Sequence, residues 1–440
     1  PSVPSVPCSR GEPLNVILIS LDTTRADHLG CYGYARDTSP NLDAIAAQGA
    51  LAEWCISPHI PTHPAHTTLF TGQDVWRHRI LQQGAGTELD PSVPTLTELL
   101  RDRGYYTAAA DNLGRWFARG FDSYEGYSWP MEPGKPWRKA EAVNATALQQ
   151  VERCARQSHP FFLFLHYWDP HTPYLPPPPF DTRFYSGDGK DPANHSMDAA
   201  MSEPAFRAYF QQWMPGVTDV EFPKAQYDAE IAYMDSCLGE LFAALQRHGL
   251  VDDTVLAITA DHGEELDEHQ LWFDHHGLYD TNLRIPLILR CPALIPPGTR
   301  LGGQVQMPDL APTLLDLIGL AEVADEAGMV GQSLAPALRG GRPHRSRPAF
   351  LTESTWERKR GVRTEEWKLI RALEDPFGKP PVELFSLKDD PRELNNLANR
   401  YPDKVAELTA LLDEHLRVRS AETGQPDPLE TSELSMRQIG

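Results

Sequence analysis

Four short runs of consecutive apolar residues stand out along this chain of 440 residues. They cover residues 15–21, 161–166, 254–259 and 285–289. An apolar run of this length without alternation is typical of a strand that is buried on both faces of a parallel sheet. We therefore predict that the four runs are central strands of one sheet.

Helical patterns lie between these runs. Residues 38–49 and 93–104 each combine a capping signal, apolar residues at helical spacing and a terminal glycine. Residues 227–249 form a longer amphipathic pattern that also ends in glycine. Strands that alternate with helices predict an α/β fold with a doubly wound, mostly parallel sheet.

Two changes in composition divide the chain. Residues 173–223 are rich in proline, aspartate and aromatic residues, which predicts an irregular insertion that acts as a lid and influences substrate choice. Residues 339–348 are basic and turn-forming, and we interpret them as a linker. Short strand-like runs and a helix follow, which predict a small α+β domain. The predicted organisation is an N-terminal extension over 1–14, a catalytic domain over 15–345, a C-terminal domain over 346–420 and a tail or oligomer arm over 421–440.

The net charge of −21 bears on the kinds of molecule that the protein can bind. An acidic surface argues against nucleic-acid binding and against a polybasic membrane patch, but a metal ion can still attract a small anionic substrate locally. No apolar run approaches the roughly 18 residues that span a bilayer. The six cysteines are dispersed and indicate no disulfide framework. We expect a cytoplasmic protein, although a chain without an initial methionine is also compatible with a removed leader.

Polar clusters follow three of the predicted strands. They are Asp22 to Asp27, Asp169-Pro-His171, and Asp261-His262-Gly-Glu264. Ligands of open α/β sheets bind outside the carboxyl ends of the strands. A single acidic residue at such a position is as compatible with a helix cap. Three such positions together predict a metal site, and their oxygen and imidazole ligands suit zinc or manganese.

A fourth cluster, residues 61–72, is dense in hydroxyl and imidazole groups and precedes an apolar helical pattern. It is compatible with an ordinary helix cap beside surface histidines. It is also compatible with a nucleophile at a helix N-terminus, where free N–H groups favour an anionic substrate. Thr62 is the residue in that position.

Together these motifs resemble the sulfatase branch of the alkaline phosphatase superfamily, and the resemblance runs in order from residue 15 to about residue 415. It rests on residues 22–33, 62–72, 259–264, 279–286, 309–315 and 383–391. The resemblance implies the fold of that superfamily and a hydrolase that acts on ester bonds.

The departures from the family pattern concern the nucleophile. Family sulfatases carry cysteine or serine, matured to formylglycine, where this chain has Thr62, and arginine where it has His66. Threonine is not matured by that route, so we expect no formylglycine. Threonine resembles the nucleophile of nucleotide pyrophosphatases/phosphodiesterases, and His262 stands where phosphodiesterases and phosphonate monoester hydrolases have histidine. We therefore expect hydrolysis of phosphodiesters or phosphonate monoesters through a covalent threonine intermediate.

The resemblance also implies roles for individual residues. It assigns one metal ion to Asp22, Thr62, Asp261 and His262, and contact with the substrate to His171. His275 falls where related enzymes place a lysine. Catalysis is thus assigned to Thr62, His171 and His275.

Further residues are candidates with open alternatives. A second metal ion on Asp169, His171 and His276 is an alternative, but the close spacing of Asp169 and His171 favours one ion. His66 and Asn112 are candidates for substrate binding, and a helix-surface histidine and a turn-forming asparagine explain them as well.

Three other functions remain in competition. One is a sulfate-ester hydrolase that uses threonine instead of formylglycine. Another is a soluble phosphoryl or phosphoethanolamine-type transferase. The third is a binding protein that has kept the fold without catalysis, although the intact set of Asp22, Thr62, Asp261 and His262 argues against it.

Overall fold

The computed structural model describes residues 13–83, 87–132 and 135–434. It has two parts, and the larger part is built around a nine-stranded sheet whose strands lie between residues 15 and 306. The strands are β1 Asn15–Leu21, β2 Ala50–Ile56, β3 Tyr106–Ala110, β4 Ser123–Glu125, β5 Phe161–Tyr167, β6 Thr254–Thr259, β7 Arg284–Ile285, β8 Leu287–Arg290 and β9 Thr299–Gln306. Their order is β4-β3-β5-β1-β6-β8-β2-β7, with β9 paired to β2. Five of these pairings are parallel and three are antiparallel.

Strand β1 shows why continuous apolar runs occupy the centre of this sheet. Val16 and Leu18 face one hydrophobic core, whereas Ile17, Ile19 and Leu21 face another on the opposite side. Both faces are covered, so every position of the strand interior favours an apolar residue. The predicted doubly wound α/β fold is confirmed.

Helices cover both faces of the sheet. Those of the larger part are α1 Pro40–Ala47, α2 Thr62–Thr71, α3 Val75–His78, α4 Leu96–Asp102, α5 Lys139–Ala155, α6 Asp198–Ser202, α7 Pro204–Trp213, α8 Glu221–Arg247, α9 Asp280–Leu283, α10 Leu310–Leu317, α11 Ala321–Glu326 and α12 Ala335–Leu338. Apolar residues of α1, α5 and α8 fill the core on one face, and those of α2, α4 and α10 fill the core on the other. Among the described residues, none of the helices combines the length and the apolar character needed to cross a membrane.

The predicted strand 285–289 differs from the structure. It is divided into β7 and β8 around Pro286, and both pieces pair in antiparallel fashion. Proline has no N–H to donate to a ladder, which interrupts the strand at that residue. An apolar run shows burial but does not show strand direction.

The segment 173–223 is less irregular than its composition predicted. It contains α6 and α7 and the first turn of α8. Phe206, Tyr209, Phe210 and Trp213 recur at helical spacing in α7, so one side of this helix is aromatic. The abundance of proline elsewhere in the segment obscured this short amphipathic pattern.

A second, antiparallel sheet of four strands follows. Its elements are β10 Ala349–Ser354, β11 Arg358–Arg363, β12 Trp367–Glu374, β13 Val382–Ser386, α13 Pro402–Thr423 and α14 Pro428–Thr431. One face of this sheet packs against Leu408 and Leu412 of α13. The other face packs against the larger part through Leu351, Ile370 and Phe385. The predicted small α+β unit is therefore present and is joined to the larger part by a hydrophobic contact.

The two ends of the chain are described in part. Residues 1–12 of the predicted extension and residues 435–440 of the predicted tail lie outside the described residues. Within 421–434, α14 buries Leu429 against Val75 and Trp76, so this stretch packs on the protein.

Candidate active site

Three parallel strands bring the predicted metal ligands together. Strands β5, β1 and β6 are neighbours, so the residues that follow them meet at one edge of the sheet. Asp22 follows β1, and Asp261 and His262 follow β6. The ligand atoms of these three side chains all lie within 4.8 Å of one another, and all three side chains are fully buried.

The two carboxylates have oxygen atoms to spare. Oδ1 of Asp261 accepts hydrogen bonds from the backbone N–H groups of Thr23, at 3.2 Å, and His262, at 2.8 Å. Oδ1 of Asp22 and Oδ2 of Asp261 accept none. Buried charged oxygens without a partner are costly unless they bind a cation. Two carboxylates and an imidazole therefore fit a divalent metal ion. Within 13–83, 87–132 and 135–434, no other trio of acidic, histidine or cysteine side chains meets this criterion.

Tight backbone contacts support the metal ligands. Thr23 has a φ of 55°, a conformation that is unusual for a β-branched residue, and it directs its N–H to Asp261. A Cβ atom on Gly263 would lie 1.9 Å from the carbonyl oxygen of Thr281. Only glycine therefore fits directly after His262.

Thr62 is the first residue of α2, and its side chain reaches the same point. Its Oγ1 atom lies 3.2 Å from Nε2 of His262. At a helix N-terminus the first N–H groups have no intrahelical partner and favour negative charge. The structure thus brings Thr62, Asp22, Asp261 and His262 together.

Other potential nucleophiles near Thr62 in sequence point elsewhere. Cys55 belongs to the hydrophobic core, and burial raises the pKa of its thiol well above 9. The hydroxyl of Ser57 contacts the sulfur of Met307 at 3.8 Å. Thr62 is therefore the hydroxyl that adjoins the metal ligands.

The side chain of His66 contacts the backbone of Thr62. One ring nitrogen, Nε2, contacts the hydroxyl of Ser20 at 2.9 Å, and Nδ1 lies 2.9 Å from the carbonyl oxygen of Thr62. The side chain is fully buried, and this burial lowers its pKa. Both ring nitrogens have partners inside the protein, and the predicted contact of His66 with a substrate stays a prediction. We interpret His66 as a support for the backbone of Thr62.

His166 and Asp111 were missed by the sequence analysis. Nε2 of His166 lies 3.2 Å from Oδ2 of Asp22, and Nδ1 lies 2.9 Å from Oδ1 of Asp111. Burial opposes a charge on this ring, but the two carboxylates raise the pKa of His166 to about 10. The ring of His166 thus orients Asp22 through the contact with Oδ2. The signal was a histidine at the end of an otherwise apolar strand, opposite Ser20 of β1.

The side chain of Asn112 contacts the backbone of Tyr127. Its Oδ1 atom accepts a hydrogen bond from the N–H of Tyr127, and its Nδ2 donates to the carbonyl oxygen of the same residue. The side chain is exposed and fastens a loop. The substrate-binding role of Asn112 stays a prediction, and the adjacent Asp111 is the residue that contacts His166.

Asp169 is not part of the close group of Asp22, Asp261 and His262. It lies 3.3 Å from Nζ of Lys139, and both residues are almost fully buried. Nζ of Lys139 also donates to the carbonyl oxygen of His171 at 2.5 Å. Asp169, His171 and His276 do not form a group at metal-ligand distances among the described residues. The alternative of a second ion on these three residues therefore stays a prediction: Lys139 is the cation beside Asp169, although neither oxygen of this carboxylate accepts a hydrogen bond.

His171 and His275 lie beside the metal ligands. The ring of His275 is 4.8 Å from that of His262 and 5.1 Å from that of His171. Burial lowers the pKa of His171, and its Nδ1 contacts the carbonyl oxygen of Thr172 at 2.9 Å. Burial acts in the same direction on His275, but Asp274 and Glu264 raise its pKa to about 10. Two histidines with opposite charge preferences therefore adjoin Thr62 and His262.

A cavity of about 370 Å³ adjoins these residues. Pro61, His171 and His275 line the end that is next to Thr62. The other walls carry aromatic side chains from α7 and from loops of the C-terminal sheet, namely Phe206, Tyr209, Trp213, Trp356 and Phe377. This volume is within the range of about 300–1,000 Å³ that is usual for ligand pockets.

Comparisons with known proteins identify the family to which the chain belongs. A sequence model of the family described as "Sulfatase" matches residues 14–320. A second model, described as "N-sulphoglucosamine sulphohydrolase, C-terminal", matches residues 267–422. The two matches together extend over both sheets.

Individual relatives include sulfatases and enzymes of phosphorus chemistry. The chain is 27% identical to a choline-sulfatase of Rhizobium meliloti, over 85% of this chain and 81% of that protein. It is 26% identical to a multifunctional alkaline phosphatase superfamily protein of Trinickia caryophylli, over 87% of this chain and 91% of that protein. The crystal structure of a phosphonate monoester hydrolase of Agrobacterium radiobacter superposes with a TM-score of 0.71 at 23% identity, over 93% of this chain and 96% of that chain.

Proposed function

The chain belongs to the sulfatase family and is a hydrolase of ester bonds, and from this premise we propose that it cleaves phosphodiesters or phosphonate monoesters through a covalent bond to Thr62. The observation that carries the proposal is the 3.2 Å contact between Oγ1 of Thr62 and Nε2 of His262. It brings the hydroxyl to the residues that suit a divalent metal ion. The identity of residue 62 as threonine then favours phosphorus over sulfur.

The chemical reason lies in the second half of the reaction. A formylglycine hydrate has a second hydroxyl group that can expel sulfate without attack at sulfur, whereas threonine has none. Water must therefore attack the central atom of a threonine ester. Threonine at this position resembles the nucleophile of nucleotide pyrophosphatases/phosphodiesterases, whose reaction needs such an attack at phosphorus, so residue 62 favours phosphoryl or phosphonyl substrates.

Asp22, Asp261, His262 and Thr62 would hold the metal ion in this proposal. When bound, a divalent ion supplies positive charge that favours the ionised hydroxyl and neutralises negative charge on the ester. Oγ1 of Thr62 forms a bond to phosphorus while the bond to the leaving alcohol breaks. Water then attacks phosphorus, the Oγ1–P bond breaks, and the threonine hydroxyl is restored.

His171 and His275 have complementary tasks in these two steps. The carboxylates of Asp274 and Glu264 lie 3.4 and 3.5 Å from Nδ1 of His275 and favour a cationic ring. A cation at this position takes the place of the family lysine beside the anionic ester. His171 directs Nδ1 to its neighbouring backbone carbonyl, which leaves Nε2 for the substrate or for the attacking water.

A sulfate-ester hydrolase is the second candidate, because several relatives, including the choline-sulfatase, are named as sulfatases. One experiment decides between hydrolysis of phosphorus esters and hydrolysis of sulfate esters. Metal-reconstituted protein is assayed with nitrophenyl esters of four kinds: a phosphodiester, a phosphonate monoester, a phosphate monoester and a sulfate. The proposal predicts the highest kcat/KM for the phosphodiester or the phosphonate, whereas preference for the sulfate would replace it with the second candidate.

The nucleophile is tested in the same assay. Thr62→Ala is expected to reduce kcat by roughly 10³-fold or more, because no other group can form the intermediate. Thr62→Ser retains the hydroxyl and is the matched control. Mass spectrometry after rapid quenching is expected to find the phosphonyl group on the peptide that contains Thr62. Full activity of Thr62→Ala would exclude this nucleophile.

A further inference from the structure

The cavity beside Thr62 is placed to receive the part of the substrate that leaves. Pro61 precedes the nucleophile, and His171 and His275 adjoin the metal ligands, so these three residues mark the reacting end of the cavity. A group bonded to the departing oxygen extends from that end toward the aromatic walls. The chemistry of these walls therefore bears on the identity of the leaving group, provided that the proposed function holds.

Three separate parts of the chain supply aromatic rings to the walls. Phe206, Tyr209 and Trp213 come from one side of α7. Trp356 comes from the turn between β10 and β11, and Phe377 comes from the turn between β12 and β13. All except Phe206 are only half-buried. Large aromatic side chains are usually buried in a core, so these partly exposed rings are available to a ligand.

His276 stacks with two of the wall rings. Its ring centroid lies 6.2 Å from that of Phe206 and 4.7 Å from that of Phe377, at interplanar angles of 8° and 18°. An aromatic group in the cavity would extend this cluster of rings, because offset-stacked and edge-to-face contacts between rings are both favourable.

The charges on the walls argue against a charged leaving group. No lysine or arginine occurs among the described residues that line this cavity. Its one carboxylate, Asp274, is 3.4 Å from Nδ1 of His275 and 3.8 Å from Nδ1 of His276, and it accepts a hydrogen bond from the N–H of His275. This carboxylate is therefore already in contact with two histidines. Aromatic rings can bind a quaternary ammonium group through their faces, but Asp274 is not free to add to that attraction, and a choline ester is for this reason the competitor in the binding experiment.

Most of the lining surface is apolar. Besides the histidines and Asp274, its polar groups are the side chains of Gln83, Thr172 and Thr355, the hydroxyl of Tyr209 and the indole N–H groups of Trp213 and Trp356. A carbohydrate needs partners for several hydroxyl groups, because an unmet hydrogen bond is costly in a closed site. His276 adds two ring nitrogens that make no hydrogen bond although the side chain is almost fully buried, and one of them can meet a single polar substituent.

We propose that this cavity binds a flat, uncharged aromatic leaving group, so that the preferred substrates are aryl esters. The rings of α7 and of the two C-terminal turns enclose the aryl group, while the ester lies at Thr62. His276 offers its unpaired nitrogens to a substituent on the aryl ring.

Binding to a non-reacting protein tests this directly, because turnover rates also depend on the acidity of the leaving alcohol. The metal-loaded Thr62→Ala variant is titrated by calorimetry with methylphosphonate monoesters of four alcohols: 2-naphthol, hexanol, choline and glucose. We expect the naphthyl ester to bind at least about tenfold more tightly than each of the others. Tightest binding of the choline or glucose ester, equal binding of all four, or no binding would overturn the proposal.

Variants of the walls locate the binding. In the Thr62→Ala background, Trp213→Ala and Phe377→Ala are expected to weaken the naphthyl ester by about tenfold more than they weaken the methyl ester. Phe184→Ala removes an aromatic ring from the same insertion outside the cavity and is the matched control. Melting temperatures establish that each variant is folded. Equal weakening of the two esters would show that the rings do not enclose the aryl group.

The two proposals fail in different ways. If the wild-type protein hydrolyses esters without regard to the leaving group and the variant binds all four equally, the proposed function stands and the cavity assignment is wrong. If no phosphorus ester is hydrolysed but 2-naphthyl sulfate binds in the cavity and is cleaved, the aromatic leaving group stands and the phosphorus preference is wrong.

Discussion

Nε2 of His166 lies 3.2 Å from Oδ2 of Asp22, and this contact fixes one of the three side chains that suit the metal ion. Asp111 contacts the other ring nitrogen at 2.9 Å. The ring thus connects the ends of β3, β5 and β1 across the sheet. His166 therefore acts on the metal site indirectly, because it orients the side chain of Asp22.

The first prediction follows from this contact. His166→Gln is expected to weaken binding of zinc or manganese by about 10- to 100-fold, because Asp22 loses the partner that orients it. Calorimetric titration of the metal-free protein measures this affinity, and His159→Gln, at an exposed position, is the control. Tighter metal binding in His166→Gln would contradict the prediction and would show that the charge of the ring repels the ion.

The second prediction concerns the response of stability to metal. Asp22 and Asp261 each leave a buried oxygen unpaired, so we expect a chelator to lower the melting temperature and added metal to restore it. At a metal concentration 100-fold above Kd, the gain in the free energy of unfolding is about 2.7 kcal/mol.

Asparagine variants test the origin of this effect. Asp261→Asn is expected to raise the melting temperature of the metal-free protein, because one of two adjacent buried charges is removed. The same variant should lose most of the response to metal. A response equal to that of the wild-type protein would place the ion elsewhere.

The third prediction concerns Lys359, which is 1% exposed. Its Nζ atom lies 2.7 Å from carboxylate oxygens of both Glu357 and Asp375 and 3.9 Å from Glu383. Lys359→Met leaves these acidic groups without their cation and is expected to lower the free energy of unfolding by about 3–5 kcal/mol in urea titrations.

A surface ion pair supplies the comparison. Lys404 contacts Glu407 at 2.5 Å but is partly exposed, so Lys404→Met is expected to cost at most about 1 kcal/mol. Equal effects of the two substitutions at neutral pH would show that the acidic residues around Lys359 take up protons instead of remaining charged. Trp356 and Phe377 belong to the turns that this lysine joins, so its loss is also expected to weaken the binding of aryl esters.

The fourth prediction is a pH dependence of stability that involves His59. Burial lowers the pKa of this histidine from 6.5 to about 3, and its Nδ1 lies 2.7 Å from the hydroxyl of Thr352. The unfolded chain takes up a proton near pH 6.5, whereas the folded protein does so only near pH 3. The stabilisation is therefore complete above pH 6.5 and declines as the pH falls toward 3, by up to about 1.4 kcal/mol per pH unit.

The variant His59→Asn removes this group. Urea titrations between pH 7.5 and 5 are expected to show a shallower decline of stability in the variant than in the wild-type protein. His159→Asn, at an exposed position, should leave the slope unchanged. Identical slopes in all three proteins would indicate that His59 is protonated in the folded state.

The sequence predicted those parts of the fold and the site that depend on local order along the chain. Strands β1 and β6 have the predicted bounds because both faces of each are buried. Asp22, Asp261 and His262 meet because the strands before them are parallel neighbours. These relationships follow from periodicity and from the geometry of parallel sheets.

What the sequence did not predict depends on contacts between distant segments. Asn112 and Asp111 are adjacent in the chain, and only the packing of β3 beside β5 decides which of them reaches His166. The sequence does not show that Lys139 of α5 lies beside Asp169. The four strands of the second sheet were predicted only in part, since short strands at a domain contact carry weak periodicity.

The aromatic walls of the cavity and the reacting groups lie on different structural elements. Thr62, Asp22, Asp261 and His262 stand at the ends of buried strands or at the start of a buried helix, where a change of sequence disturbs the core. The aromatic rings stand on α7 and on two turns, and all of them except Phe206 are only half-buried. Descendants of one ancestor can therefore inherit the same bond-breaking groups while exchanging the segment that chooses the alcohol, and grafting residues 196–214 between homologues is a direct way to engineer that choice.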